Sequence, residues 1–447
     1  MVAQTRKQGG GISVLRSGIG RVSIALWLAI VGTAPAYAQS RVRVSADISD
    51  CLNVRSRPET SSARKLCLTP GTEAEVRDSV PFWLRIRVDN GTLGWAAKRY
   101  LVRIEGSTPA PAESSPAVTV QANAWLEVHV VDVGQGDGIW IHTFDDSVRG
   151  NGMFEGKNIV IDGGPDASDD KNEMLHYLQR RLPDGSLIDA LIISHPHDDH
   201  YPGAAGVLNH FEISDYYDPA YPKEGPKYNN FLALVGSEIA RGQPIHLHMG
   251  KAQFGVPDWG SELKPEFLYS YPGNPSGLGS GNTLENNASI VLKLTYGDVS
   301  FLFMGDAEGK NRSDSPTTPK YAERILLNEF PASRLKSTVL KIAHHGSESS
   351  STLPFIQAVD PEIVLVSSGR KAFGGTFLPD RSTLQRYCAH NPQIRIYRTD
   401  QDDEAEQRTT ANDQDGDNIV VRTNGRTVQV QAFSNGHPLP APTACSP

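Results

Sequence analysis

The chain has 447 residues, a formal net charge of −8 and a hydrophobic fraction of 38%. That length allows one large domain plus a smaller module, and the apolar content is enough for a packed core. The acid excess excludes capture of nucleic acid or an anionic membrane by blanket electrostatic attraction, so an anionic substrate has to be met by local cations or by metal.

Arg6, Lys7, Arg16 and Arg21 precede the apolar run 22–31, and Ala36-Tyr37-Ala38 puts small residues at the two positions a signal peptidase reads. Residues 1–38 therefore read as a cleaved secretion signal. The alternative, an uncleaved anchor, meets the difficulty that the run is shorter than the roughly 20 apolar residues that span a bilayer. Cleavage takes away four positive charges and no acids, which moves the formal charge to −12, and leaves no segment stably inserted in the membrane. The mature chain is expected to be periplasmic or secreted. No Cys stands directly after the cleavage point, which argues against a lipoprotein. In an oxidising compartment Cys51 and Cys67 could bridge within the N-terminal module, leaving Cys388 and Cys445 as a possible second pair. No CxxC spacing favours thiolate metal binding.

Residues 43–104 alternate apolar and polar positions between turn residues, which predicts a small all-β barrel. Leu52-Asn53-Val54-Arg55-Ser56 followed by Pro58, the Leu68-Thr69-Pro70-Gly71 turn, Trp83, Gly94-Trp95 and Tyr100-Leu101-Val102 resemble a bacterial SH3-like domain. The resemblance implies contact with peptidoglycan or cell-wall peptide. A folded spacer without a ligand is the other reading, because a small barrel also needs aromatic residues for its core. Residues 105–123 are rich in Pro, Ala and Ser and read as an extended linker.

From 124 to 433 the pattern changes. The apolar runs in "WLEVHVVDVGQGD", "NIVIDGG", "ALIISHPHDDH", "SFLFMGDAE" and "TVLKIAHHGSESSS" each end in a loop carrying Asp, His or Gly. Five strands delivering polar groups at their carboxyl ends describe an active-site rim. Helical periodicity falls between them, over 171–182 with Met174, Leu175, Leu178 and Leu182 on one stripe, and over 320–330 with Tyr321, Ile325 and Leu326 on another. Alternation of strands and helices predicts an α/β architecture with helices on the sheet faces. The acidic stretch 400–417 lacks the full calcium-loop spacing and reads as a solvated loop, and 434–447 as an irregular tail.

The stretch His195-Pro196-His197-Asp198-Asp199-His200 crowds ionisable side chains directly after a buried strand. Such a cluster is costly beside a core unless metal is bound. In HxHxDH, two imidazoles two residues apart on an extended segment reach one ion, and Asp199 with His200 points to a second position. Imidazole and carboxylate without thiolate suit Zn, Mn or Fe and leave sites open to water.

HxHxDH, with Gly305-Asp306 and His344-His345-Gly346-Ser347, resembles the metallo-β-lactamase superfamily. More narrowly, 131–137 "VDVGQGD", Ile161-Asp162-Gly163-Gly164, Asn286-Asn287-Ala288-Ser289 and the HHGS stretch are similar to the extracytoplasmic hydrolase domain of ComEC-type competence proteins, a branch shared with phosphorylcholine esterases. The resemblance implies a four-layer αββα sandwich with a dinuclear site at one edge. It implies that His195 and His197 bind one metal ion, Asp199 and His200 the other, and that Asp306 bridges them. Of His344 and His345, one would be a ligand of the first ion and one would touch the leaving oxygen as general acid or hydrogen-bond donor. Asp162 reads as orienting a ligand imidazole or a loop, and Gln135 and Asp137 as lining the substrate side.

Two divalent cations, Zn or alternatively Mn, would lower the pKa of a shared water and neutralise a phosphoryl oxygen. The leading function is thus a secreted metal-dependent hydrolase of a phosphodiester, nuclease-like or phosphorylcholine-esterase-like, with Asp199, His344 and His345 in the catalytic centre. The alternatives are hydrolysis of an ester, lactone or β-lactam or other small molecule, and a non-catalytic wall-binding protein. Arg370, Lys371 and Arg381 make at best a modest anion-contacting group. One departure from the family stands out. Relatives follow HHGS with a Gly-His-Pro whose His completes the second site, and here Leu378-Pro379-Asp380 has no His. Asp380 would either replace it as a ligand, such as an oxygen donor favouring harder ions, or cap the helix starting at Arg381. Unequal sites are expected, with the tighter at His195 and His197.

Overall fold

In the computed structural model the described residues are 41–46, 51–57, 62–80, 83–97, 100–104, 125–143, 156–183, 185–260, 262–273, 277–369, 371, 376–400, 416–434, 436–442 and 445. The secretion signal, the linker, Arg370 and the acidic residues 401–415 lie outside them.

Residues buried on both faces of a strand build two cores at once, and that is how the hydrolase region is layered. In the strand Val299–Phe303, Phe301 and Phe303 face an inter-sheet core, while Leu302 faces a second core on the other side. The inter-sheet core also takes Leu126, Val128 and Val130 from the strand Leu126–Val130 and Leu292 and Leu294 from Val291–Tyr296. Its two walls are separate sheets. One runs in the order His246–Met249, Glu212–Asp218, Leu187–Ile192, Asn158–Ile161, Ile139–Thr143, Leu126–Val130, Ile419–Thr423, Val428–Ser434 and His437–Pro438. The other runs Leu263–Tyr269, Val291–Tyr296, Val299–Phe303, Val339–Lys341, Ile363–Val366 and Arg395–Arg398.

Helices close both outer faces. Glu173–Gln179, Ala204–His210 and Pro226–Ala240 pack on the first sheet, and Tyr321–Glu329, Leu353–Val359 and Arg381–His390 on the second. The result is the αββα sandwich. The neighbouring parallel strands Asn158–Ile161 and Leu187–Ile192 of one sheet, and Val299–Phe303, Val339–Lys341 and Ile363–Val366 of the other, end at the same edge.

The helix over 171–182 shortens to Glu173–Gln179, with the Asn172 side chain accepting from Leu175 N at its start. Met174, Leu175 and Leu178 are buried as the spacing requires. The second stripe is turned relative to expectation. Ala322, Glu323 and Leu326 face the core, whereas Tyr321 and Ile325 are only half-buried. Glu323 is the reason: its carboxylate accepts from Ser351 N, from Thr352 N at 2.9 Å and from Thr352 Oγ1 at 2.6 Å, so it ties this helix to the loop before Leu353–Val359.

The N-terminal module is a seven-stranded antiparallel sheet from Arg41–Val44 to Leu101–Arg103, curled around an aliphatic core of Val42, Val54, Val76, Ile86 and Ala96. Trp83 and Trp95 stand half-buried outside that core. Disulfides join Cys51 to Cys67 and Cys388 to Cys445. Among the described residues no helix is long and apolar enough to cross a membrane.

Replacing Glu323 by Ala strands two buried backbone N–H groups. An unsatisfied buried donor costs about 1–3 kcal/mol, so Glu323→Ala is expected to lower unfolding free energy by about 2–4 kcal/mol. The midpoint of a urea denaturation curve measures it.

Candidate metal centre

Four strand ends converge here, and the backbone at three of the functional positions is left-handed. Asp162, His344 and His345 have φ of 58°, 50° and 50°. Non-glycine residues held this way cost about 1–3 kcal/mol each, so the surroundings must impose the conformation. Asp162 follows the strand Asn158–Ile161 and donates its N–H to Ile192 O at 2.8 Å. His344 donates its N–H to Gly305 O at 3.0 Å, which pins the two histidines beside the loop carrying Asp306. The loop containing Gly136 lies directly on the HxHxDH segment. Gly136 has φ of 148°, and a Cβ there would come within 2.1 Å of Asp199 O.

The side chains meet at Asp306. Its Oδ2 lies 3.4 Å from His200 Nε2, 3.5 Å from His345 Nε2 and 3.6 Å from His195 Nε2, with His344 Nε2 at 4.0 Å. His197 Nδ1 is 3.1 Å from His195 Nε2. Asp199 closes the other side, its Oδ2 3.5 Å from His345 Nε2 and its Oδ1 3.8 Å from His200 Nε2. Four overlapping groupings result among the described residues: His195 with His200 and Asp306, Asp199 with His200 and His345, Asp137 with Asp162 and His200, and Asp137 with Asp306 and His345.

A second layer turns each ring. Asp162 accepts from Ser194 N at 2.7 Å and from Ser194 Oγ at 2.6 Å, and its Oδ2 is 2.8 Å from His200 Nδ1. His345 Nδ1 is 2.8 Å from Ser367 O and 3.4 Å from Asp137 Oδ1. Asp137 is itself paired with the buried Lys341. Glu285 Oε2 lies 2.8 Å from His197 Nε2 and also contacts Lys223. Glu308 Oε1 and Ser349 Oγ hold His344 Nδ1 at 3.2 and 3.1 Å. Partners of this kind fix which ring nitrogen is presented to a metal.

Burial opposes charge throughout the cluster. It depresses the His195 pKa well below the usual histidine value, with His200 adding to the effect. At His200 and His345 burial is overcome by carboxylates, Asp306 foremost, and both are raised well above it. Asp306 is held well below the carboxylate range because His345, His200 and His195 outweigh its burial. His200 Nε2, His345 Nε2 and Asp306 Oδ1 are buried and make no hydrogen bond. Buried imidazole nitrogens and a carboxylate oxygen that converge without a hydrogen bond, backed by carboxylates, are what divalent cations require, and the residues fit.

His195, His197, Asp199, His200, Asp306, His344 and His345 are thus brought to one place. Asp380 is not. Its carboxylate forms a bidentate pair with Arg312 at 2.7 and 2.8 Å and accepts from Glu348 N at 2.7 Å, so it is spent on the cleft rim. It stands at the N-cap of Arg381–His390 without a side-chain capping bond. His345 Nε2 lies 3.5 Å from both Asp199 Oδ2 and Asp306 Oδ2, and it joins Asp199 and His200 in one grouping and Asp137 and Asp306 in another. Gln135 and Asp137 are buried behind the ligands and do not line the cleft. Gln135 Oε1 receives Ser368 Oγ at 3.3 Å, and Asp137 is taken by Lys341. Glu285, Glu308 and Lys341 escaped sequence reasoning. Only Lys341 carried a signal, a cation inside the apolar run "TVLKIA".

Residues 153–370 match the model of the metallo-beta-lactamase superfamily, and residues 50–102 that of the bacterial SH3 domain. The chain carries a metallo-β-lactamase superfamily hydrolase domain. The SH3 domain precedes it. Curated relatives include ComE operon protein 3 of Bacillus subtilis, 28% identical over 62% of this chain and 32% of that protein, and Recombination protein 2 of Haemophilus influenzae, 27% identical over 55% and 24%. Competence protein ComA of Neisseria gonorrhoeae is 32% identical over 27% and 15%. The chain therefore spans a third or less of the length of these relatives.

Asp162→Asn keeps the shape of the group that turns His200 and removes its charge. Metal affinity is expected to fall about 10–100-fold with the far-UV circular dichroism unchanged, as loss of an outer carboxylate partner does elsewhere. Isothermal titration of the metal-free protein measures it.

Proposed function

We propose that the protein is an exported, metal-dependent phosphodiesterase. The observation that carries this reading is the cation lining of the cleft. An opening of about 870 Å³ bounded by His197, Asp199, Asp306 and His344 is also lined by Lys223, Lys227, Arg312 and Lys371. In an acidic chain these four are the local positive charge that a phosphodiester needs, and Lys371 belongs to the group that the sequence presented as only modest. The relatives named for competence and recombination support a nucleic-acid phosphodiester as the natural class.

His195, His197 and Asp306 would hold one divalent cation, Zn or Mn, and Asp199, His200, His345 and Asp306 the other. The chemistry two such cations supply is activation of water near neutral pH and neutralisation of phosphoryl charge. The remaining work falls to the chain. His344, with Nδ1 held by Glu308 and Ser349, gives or takes a proton at Nε2, on the side of Asp306, where a leaving oxygen would need it. Lys223 and Lys227 face the substrate from one wall and Arg312 from the other, each oriented by a carboxylate: Glu285, Asp198 and Asp380. Two disulfides support folding in an oxidising compartment, and with it the secretion signal over 1–38. The SH3 domain would attach the enzyme to cell-wall peptide, a role supported by the two tryptophans outside its aliphatic core.

The purified mature chain, assayed with Zn and with Mn, is expected to cleave bis-nitrophenyl phosphate, nitrophenyl-phosphorylcholine or single-stranded DNA. Asp199→Ala should lower turnover at least about 100-fold, the scale of losing a group that stabilises developing charge, and should keep the fold. Turnover of a chromogenic β-lactam or an acyl lactone, with no phosphodiester cleaved, overturns the substrate class. For the SH3 domain, the mature chain is expected to co-sediment with purified peptidoglycan and a chain beginning at Trp125 to remain in the supernatant, with turnover of small substrates unchanged.

A further inference from the structure

In the assignment proposed above, His345 goes with Asp199 and His200, and the first ion is short of a donor. It is left with His195, His197 and the shared Asp306. His344 does not make up the number. Its Nδ1 is held by Glu308 and Ser349, and its Nε2 is 4.0 Å from Asp306 Oδ2.

Asn286 is the side chain placed to complete it. It ends the short helix Asn282–Asn286, lines the same cleft as His197 and Asp306, and is 3% exposed. The orientation of its amide is settled by charge. Nδ2 donates to Glu308 Oε1 at 2.9 Å and lies 3.5 Å from His344 Nε2, and the reverse orientation would set the amide oxygen against a carboxylate. Oδ1 therefore points away from Glu308, and it is a buried acceptor with no hydrogen-bond partner. Leaving such an atom unpaired is unfavourable, and a cation beside it removes the cost. Its chain neighbour Glu285 takes His197 Nε2 at 2.8 Å, so two consecutive residues of one helix turn a ligand ring and offer an amide oxygen.

We propose that Asn286 Oδ1 is a ligand of the first metal ion, whose donors are then His195, His197, Asp306 and Asn286; this rests on the metal-dependent reading given above. The two positions differ in charge. The second shares Asp306 and adds Asp199, whereas the first shares Asp306 and adds a neutral amide. A neutral oxygen donor attracts a dication less than a carboxylate does and is harder than imidazole, so the first position binds more weakly and discriminates less against Mn.

The test titrates the metal-free mature chain with Mn and with Zn, reading stoichiometry and affinity by calorimetry and bound Mn by electron paramagnetic resonance. The wild-type protein is expected to bind two ions unequally. Asn286→Ala should leave the tight ion in place and weaken the other about tenfold or more, the lower end of what perturbing a ligand shell produces. Unchanged far-UV circular dichroism checks the fold of the variant. Two ions with wild-type affinities in Asn286→Ala overturn the assignment and leave Asn286 as a substrate contact. So does loss of the weak ion in His344→Ala but not in Asn286→Ala. A wild-type chain that binds neither metal overturns the metal-dependent reading itself, a result distinct from the other two.

Discussion

One carboxylate oxygen organises this protein. Asp306 Oδ2 has four imidazole nitrogens within 4.0 Å, and three of those rings are buried with it. A buried negative charge demands compensation, and the imidazoles gathered around it are too crowded to be charged together. His195 is driven toward the neutral form while His200 and His345 are driven toward the charged one. Divalent cations would resolve the conflict for all of them at once.

Holding that arrangement takes both sheets. The first sheet brings Asp162 and the HxHxDH segment, and the second brings Asp306, the two histidines and Ser367. The apolar core between the sheets sets their separation, so the alternation of inward residues in strands such as Leu126–Val130 and Val291–Tyr296 controls distances at an edge they never touch. The link across the gap is direct at Asp137, which comes from the loop after the first strand of one sheet and pairs with Lys341 in the other. A buried ion pair of this kind is a poor source of net stability, but it is costly to break on one side, which suits it to fixing relative position.

The cleft shows how an acidic chain presents positive charge. Lys223, Lys227 and Arg312 each lean on a carboxylate of the surrounding wall, so their direction is set before any substrate arrives. Such preorganisation spares the cost of ordering long side chains at the moment of binding. Asp380 is part of this device, and its absence from the metal grouping follows from its commitment to Arg312.

Much of this was legible in the primary structure by itself. Local crowding of His and Asp after an apolar run, repeated at five strand ends, determined that a cluster of side chains able to hold metal sits on an α/β rim, because such density of ionisable groups has few other physical uses. Apolar periodicity determined the helix around Leu175 and the strands. Pairings between distant segments were decided only by tertiary structure. Sequence spacing said nothing about whether His345 sides with His197 or with Asp199, and a Gly-His-Pro missing from its usual place pointed to Asp380, which the fold had already given to Arg312. Glu323 turned a helix because its acceptors serve amides 28 and 29 residues away. Glu285 and Glu308 carry no local pattern at all, and Asn286 lies in a motif that does not say which atom it faces, since their roles consist of what they meet across the cleft. Composition and period report on each segment's own burial, whereas ligand choice depends on distances of a few ångströms between segments, and only packing of the two sheets sets those.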